Sequence, residues 1–233
     1  IFDIAIGHDG SVYATGPFTS VDGVANTARI AKWDGSAFSA LGTGLDGSGG
    51  TCLAIGPNNG NLYVGGAFTS ANSVSADNVA MWNGTTFETL GNDLPGTSVQ
   101  FLEFTNSGIL YAGGELTTNN FWMYNGVSWS SITLPTAGIP YVAYYDNDSG
   151  LLYVGIAYNS MSDLAVWNGT AWSGMDVILS GTTPKVYAIQ VINGNIYLGF
   201  DDSGTATTSY SGTITNAGTH EAYPVIHVKR SGG

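Results

Sequence analysis

The chain has 233 residues and a net charge of −12, with only five lysine and arginine residues. This acidic balance argues against binding to nucleic acid or to an anionic membrane, because both need clustered cations. Charged residues make up 9% of the chain and no run of eighteen apolar residues occurs. We therefore expect packing rather than salt bridges to stabilise the fold, and we predict no membrane insertion.

One strand motif recurs five times along the chain. Its fullest copy runs from Leu62 to Ser70, and its tyrosine returns at intervals of 42 to 50 residues. The five tyrosines are Tyr13, Tyr63, Tyr111, Tyr153 and Tyr197. A period of this length is typical of repeat proteins, in which each repeat is one supersecondary unit. We therefore expect one repeat array rather than several unrelated domains.

Each repeat opens with an apolar strand and a tight turn. The predicted first strands are 2–6, 52–55, 101–104, 142–145 and 187–191. The turns that follow are rich in Asn, Asp and Gly, which tolerate the positive φ angles of tight hairpins. The tyrosine motif then supplies the second strand, and its glycines indicate a close approach of another backbone.

A second hairpin follows in four of the repeats. An Asp-Gly or Asn-Gly pair lies between two aromatic residues in each copy, which is a strong signal for a β-hairpin. The copies run from Ile30 to Phe38, Val79 to Phe87, Trp122 to Trp129 and Ala165 to Trp172. These hairpins supply the predicted third and fourth strands.

Four short strands in each repeat of this length are typical of a propeller blade. We predict an all-β fold, a five-bladed β-propeller of four-stranded antiparallel blades over residues 1–212. The predicted repeats are about 1–50, 51–98, 99–139, 140–184 and 185–212. Residues 213–233 are predicted to be a closing strand or the start of a following β-sandwich domain. Because the chain begins inside a predicted strand and without Met, we expect it to be a piece of a longer or processed polypeptide.

The repeats resemble galactose-oxidase/kelch-like propeller repeats, in which a Gly-Gly-x-Phe-Thr strand precedes a Trp-Asp-Gly-Thr hairpin. Gly65-Gly66-Ala67-Phe68-Thr69 and Trp33-Asp34-Gly35 carry this resemblance, which covers roughly residues 1–212. It implies the fold and says little about activity. The copper ligands of the oxidases have no matching set in this sequence, so we expect no such cofactor.

The end of the chain resembles the opening of a β-sandwich domain in bacteriophage distal-tail-type proteins, with the phrase Asn-x-Gly-Thr-x-x-x-x-Pro-x-Ile. The matching positions are Asn216, Gly218, Thr219, Pro224 and Ile226. This resemblance implies a virion tail component that carries a propeller. Its expected partners are other virion tail proteins or copies of itself.

The candidate metal site is a calcium loop at Asp146 and Asp148. Oxygen-bearing side chains alternate there and Gly150 follows, as in half of a calcium loop. The loop lacks a downstream Glu ligand and occupies the place of a blade turn, so we favour the turn and keep calcium as the alternative. The histidines His8, His220 and His227 do not share a spacing typical of metal ligands.

The candidate glycan contacts are five tryptophans in the second hairpins. They are Trp33, Trp82, Trp129, Trp167 and Trp172. Similar sites on every blade would make a multivalent lectin. The alternative is that these rings fill the space between blades, and their regular placement favours packing.

We therefore predict a non-enzymatic structural or adhesion module of a phage-like virion tail, extracellular, displayed outward and contacting host surface glycans. The alternatives are a free carbohydrate-binding lectin and, third, a glycan-processing enzyme. That enzyme would need two facing acids, and the candidates on or after the first strands are Asp3, Glu103 and the Asp146 region. The single cysteine, Cys52, is predicted to be a buried apolar residue rather than a reactive thiol.

Overall fold

The computed structural model describes residues 1–117, 120–158, 161–180, 185–201 and 226–228, some of the later ones by backbone alone. Over these ranges the chain is all-β without a helix, so no helix there is long and apolar enough to cross a membrane. The chain divides into two compact units, Ile1–Ile132 and Thr133–Gly233.

Unit 1 contains three four-stranded sheets, here called blades 1 to 3, in which every neighbouring pair is antiparallel. Blade 1 consists of β1 (Asp3–Ile6), β2 (Val12–Thr15), β3 (Ile30–Trp33) and β4 (Phe38–Ala40). Blade 2 consists of β5 (Gly49–Ile55), β6 (Leu62–Ala67), β9 (Val79–Trp82) and β10 (Phe87–Glu88). Blade 3 consists of β11 (Gly96–Phe104), β12 (Leu110–Leu116), β13 (Phe121–Tyr124) and β14 (Trp129–Ser131). A two-stranded insertion, β7 (Ser70–Ala71) and β8 (Val74–Ser75), follows β6.

Unit 2 contains blades 4 and 5. Blade 4 consists of β15 (Ile139–Asp146), β16 (Leu151–Tyr158), β17 (Met161–Trp167) and β18 (Trp172–Ser180), all antiparallel. Blade 5 consists of β19 (Lys185–Ile192), β20 (Asn195–Asp201) and β21 (Ile226–Val228). The predicted four-stranded antiparallel sheet is thus present in blades 1 to 4. Blade 5 has three strands among the described residues, and β21 pairs with β20 in parallel.

The core lies between neighbouring sheets inside each unit. One cluster joins blades 1 and 2 and includes Tyr13, Ile30, Val64 and Phe87, and a second cluster joins blades 2 and 3. A third cluster joins blades 4 and 5 in unit 2. Full burial of each such side chain contributes about 1.5–3 kcal/mol, so the sheets are held together mainly by these apolar layers.

The glycines of the tyrosine motif let adjacent strands and sheets approach. A Cβ on Gly65 would lie 2.6 Å from a methyl carbon of Val99 in blade 3, and one on Gly155 would lie 2.9 Å from Val186 in blade 5. A Cβ on Gly66 would lie 2.2 Å from the carbonyl oxygen of Gly49 in the paired strand β5. The close backbone approach expected from the sequence is therefore present on both sides of the motif.

Candidate functional site

In blades 1 to 4 the second hairpin is built around one Asp or Asn side chain. In blade 2 the Asn83 Oδ1 accepts hydrogen bonds from the backbone N–H groups of Thr85 and Thr86, both at 2.9 Å. The same pair of bonds recurs at Asp34, Asn125 and Asn168. Each side chain thereby replaces backbone turn bonds and fixes a four-residue loop between two paired aromatic residues.

Successive strands of a blade are antiparallel. The turn between its first and second strands and the turn between its third and fourth strands therefore lie at the same end. We call this end of unit 1 the hairpin end, formed by residues 7–11, 34–37, 56–61, 83–86, 105–109 and 125–128. Asn, Ser, Thr and Gly dominate its exposed positions. The hairpin end therefore offers mainly uncharged hydrogen-bonding groups on turns of fixed shape.

The five predicted tryptophans all pack against an aromatic neighbour across their own hairpin. The ring centroids are 4.7 Å apart for Trp33 and Phe38, 4.9 Å for Trp82 and Phe87, 5.1 Å for Trp129 and Tyr124, and 5.1 Å for Trp167 and Trp172. Trp82, Trp129 and Trp167 are buried, whereas Trp33 and Trp172 are partly exposed. These contacts agree with the packing alternative, and glycan contact by these rings stays a prediction.

The predicted calcium loop forms a turn in which the Asp146 carboxylate is already bonded. Asp146 is buried, and its Oδ2 accepts hydrogen bonds from the N–H of Ser149 at 3.3 Å and from the Ser149 hydroxyl at 2.5 Å. Asp148 is exposed. Burial, reinforced by the negative charge of Asp146, raises the pKa of Tyr153 to about 12. The turn alternative thus has a defined set of contacts, and calcium binding at Asp146 and Asp148 stays a prediction.

The acids and histidines considered from the sequence do not gather into one cluster within the described ranges, where no group of three or more His, Cys, Asp or Glu could hold a metal ion. The Asp3 carboxylate accepts hydrogen bonds from the N–H groups of Leu53 and Ile4, each at 2.8 Å. His8 lies in the first turn of blade 1. His220 lies outside the described residues, and His227 is described only as backbone of β21.

A cleft of about 290 Å³ opens at the hairpin end between blades 1 and 2. Tyr13, Leu62 and Trp82, all buried, form its apolar lining. The polar lining comes from the turns His8–Asp9, Asn59–Asn61 and Asn83–Gly84, and from Lys32 of β3. Two neighbouring blades therefore enclose one small site with an apolar base and a polar rim.

Lys32 is the central charged group of the cleft. Its Nζ lies 3.1 Å from the Asp9 Oδ2 and 5.5 Å from the centroid of the Tyr13 ring. A backbone hydrogen bond from Ser11, followed by the hydrogen bond from Lys32, lowers the pKa of Asp9 to about 2. The hydrogen bond to Asp9 raises the pKa of Lys32. The pair therefore stays ionised from mildly acidic to mildly alkaline pH and is neutral as a whole.

His8 lies against the turn of blade 2 at the edge of the cleft. A Cβ on Gly60 would lie 3.0 Å from the His8 Nδ1, and Gly60 has a φ of 68°. Both the space and the backbone conformation therefore favour glycine at this position. In the next pair of blades, Asn58 occupies the comparable place against Gly108.

The sequence prediction did not identify this cleft. One signal was present: the tyrosines of blades 1 to 4 pair with Lys32, Met81, Met123 and Val166, so a lysine stands where the other blades have an apolar residue. The other lining groups come from turns about 50 residues apart, and only the fold brings those turns together.

Cys52 is buried in β5, as predicted. Burial, followed by the nearby negative charge of Asp3, raises the pKa of its thiol. A thiol held in its protonated form is a poor nucleophile and a poor metal ligand.

A match to a family model supports the propeller prediction. A family model described as the Rax2 C-terminal beta propeller domain matches residues 37–197, and no curated protein matches the chain. The crystal structure of the extracellular domain of the hybrid two-component system BT4673 from B. thetaiotaomicron is 10% identical, with a TM-score of 0.45. That comparison covers 95% of this chain and 34% of the BT4673 chain, so the present chain spans about a third of the length of the BT4673 chain. The narrower kelch-like and phage-tail resemblances stay predictions.

Proposed function

The chain belongs to the Rax2 C-terminal beta-propeller family, and on this premise we propose that it is a non-enzymatic structural and adhesion module, displayed extracellularly, that contacts surface glycans. The hairpin end is the observation that carries this proposal. It presents amide and hydroxyl groups on turns that the same side-chain bonds fix in blade after blade. Uncharged groups held in place can exchange hydrogen bonds with sugar hydroxyls at little cost in ordering.

The net charge favours neutral hydroxylated ligands over anionic ones. The chain carries −12, and Arg29 and Lys32 are the only arginine and lysine of unit 1. Polyanions would be repelled by this field, whereas neutral sugars are indifferent to it. Single sugar contacts are weak, so useful adhesion would come from several copies of the chain on one surface.

We extend the proposal to the number of blades and to the carrier. Five blades, with the fifth predicted over residues 185–212 and joined by β21 (Ile226–Val228), account for the five tyrosine motifs. A phage-like virion tail is the proposed carrier, supported by the phrase from Asn216 to Ile226, of which only Ile226, in β21, is among the described residues. Intact-mass measurement and imaging of the native source test this part: recovery from a source without particles would overturn the virion carrier and leave the adhesion module in place.

Glycan binding is tested with the full chain, biotinylated and tetramerised on streptavidin to supply avidity. We expect binding to a subset of a glycan array, and binding to cells that disappears after mild periodate oxidation of their surface sugars. A chain that binds no glycan, or whose cell binding survives periodate, would overturn the adhesion proposal. Bound oligosaccharides recovered unchanged after long incubation would support the non-enzymatic part, and released fragments would overturn it.

A further inference from the structure

The cleft between blades 1 and 2 differs from the rest of the hairpin end in its charged groups. Lys32 and Asp9 place an ammonium donor and a carboxylate acceptor 3.1 Å apart at its rim. At the position of Lys32, blades 2 and 3 have Met81 and Met123. A repeat position that otherwise serves packing is therefore polar where a small cleft opens between blades 1 and 2.

The chemistry of the cleft selects against a bare ion. Lys32 is compensated by Asp9, so an anion would meet no net positive charge, and a cation would compete with a lysine already in contact. The rim has donors and acceptors together, from an ammonium, a carboxylate and the side-chain amides of Asn59 and Asn61, which also bond the Tyr63 hydroxyl and the Met81 sulfur. Groups that both donate and accept, such as sugar hydroxyls, fit such a rim.

The size and lining of the cleft also fit a compact ligand. Its volume of about 290 Å³ is near the lower limit of about 300–1,000 Å³ for small-molecule pockets. Tyr13 and Trp82, which are 7% and 8% exposed, give the base a small apolar patch that part of the C–H face of a sugar ring can contact. A longer oligosaccharide would extend out of the cleft, whereas one sugar unit fits inside it.

We propose that this cleft binds a single neutral sugar unit, with Lys32 and Asp9 hydrogen-bonding its hydroxyls and His8 closing one side. This inference rests on the proposed glycan-binding function and assigns it to one site. It moves the contact from the five predicted tryptophans to a cleft in which only Trp82 takes part. It also makes the contact unique to blades 1 and 2 instead of repeating it on every blade.

The test measures binding of neutral methyl glycosides of hexoses, N-acetylhexosamines and pentoses to the full chain by saturation-transfer NMR and calorimetry. The main variant is Lys32→Met, which copies blades 2 and 3 and should leave the fold intact. We expect it to weaken binding about tenfold, since one charged hydrogen bond is lost. His8→Asn, which copies Asn58 of blade 2, should weaken binding by a smaller factor. Lys185→Met is the matched control, because it removes the same charge in blade 5, outside the cleft.

The outcomes separate the site from the function. Sugar binding that is weakened by Lys32→Met and unaffected by Lys185→Met would support the cleft. Glycan binding with the same affinity in the wild type, Lys32→Met and His8→Asn would overturn the cleft and leave the proposed function in place. A wild-type chain that binds sialosides and no neutral glycoside would overturn the neutral class. Failure to bind any glycan in solution, on arrays or on cells would overturn both proposals.

Discussion

The carboxylate of Asp3 in β1 accepts a hydrogen bond at 2.8 Å from the backbone N–H of Leu53 in β5, and so joins blade 1 to blade 2. Strand β5 is at the edge of its sheet, so alternate N–H groups of this strand have no partner within the blade. Thr15 makes a second link between these two blades, since its hydroxyl lies 2.9 Å from the Gly50 carbonyl oxygen. Side chains of blade 1 thus bond two backbone groups on the edge strand of blade 2.

We expect Asp3→Ala to lower the free energy of unfolding by about 1–3 kcal/mol, because the partly buried Leu53 N–H loses its acceptor. Asp3→Asn keeps an acceptor oxygen and is the matched control. Urea unfolding at pH 7 measures both variants. Equal stability of the alanine and asparagine variants would show that the hydrogen bond does not stabilise the fold.

Asp3 also makes a specific contribution to the pH dependence of stability. Burial raises its pKa above the ordinary value of 3.8, against the lowering effect of the hydrogen bonds from Leu53 and Ile4. Because the pKa of Asp3 is raised in the folded state, its protonation stabilises the fold. This stabilisation is fully present below pH 3.8 and is lost as the pH rises through the pKa of the folded state. The free energy of unfolding of the Asp3→Asn variant should therefore increase relative to that of the wild type as the pH rises through this window. An unchanged difference between the two would contradict the raised pKa.

Gly65 should not tolerate a methyl group. Gly65→Ala places a Cβ 2.6 Å from Val99 and 2.7 Å from the Cys52 sulfur, in the core between blades 2 and 3. Overpacking of this kind costs about 1–3 kcal/mol. The control is Gly199→Ala, at the equivalent motif position of blade 5, where the nearest atom among the described residues is the Ala188 Cβ at 3.2 Å. Thermal unfolding should show the larger loss for Gly65→Ala, and equal losses would refute packing between blades as the reason for this glycine.

The repeat could be predicted from the sequence because its parts lie close together along the chain. The tyrosine strand, the Asn/Asp-Gly hairpin and the aromatic pair on either side of it lie within a few residues, and Asn83 and Asn168 make the same bonds. Short-range chemistry of this kind survives without tertiary information.

Features that join different blades were not readable in the same way. In blades 2 to 5 the first strand carries a bulge, at Thr51, Gln100, Tyr141 and Tyr187. These four residues, one Thr, one Gln and two Tyr, share no property that marks an extra residue in a strand. A closing strand was one of the two alternatives predicted for residues 213–233, but the parallel pairing of β21 with β20 was not predicted, because about 25 residues separate the two in sequence. The cleft at Lys32 was not predicted for the same reason, since its walls come from separate repeats.

Asp34 should affect acid stability in the direction opposite to Asp3. Backbone hydrogen bonds from Ala37 and Ser36 lower its pKa below 3.8. A lowered folded pKa means that the contribution is present above 3.8 and is lost as pH falls through the folded value. Asp34→Asn copies the residue at the equivalent position of blades 2 to 4, so the hairpin should persist. Urea unfolding from pH 7 to pH 3 should show the wild type losing stability relative to this variant, and parallel curves would contradict the prediction.

The Cys52 thiol should be unreactive in the folded chain. It is buried, and burial together with the charge of Asp3 raises its pKa, so little thiolate exists near pH 8 and reagents cannot reach it. We expect no reaction with an aromatic disulfide reagent in buffer, and full reaction in urea at the rate of unfolding. Thr85→Cys is the control, since it places a thiol on an exposed hairpin position that should react at once. Rapid labelling of Cys52 under native conditions would mean that blade 2 opens readily, and the buried contacts of Cys52 would then contribute little to stability.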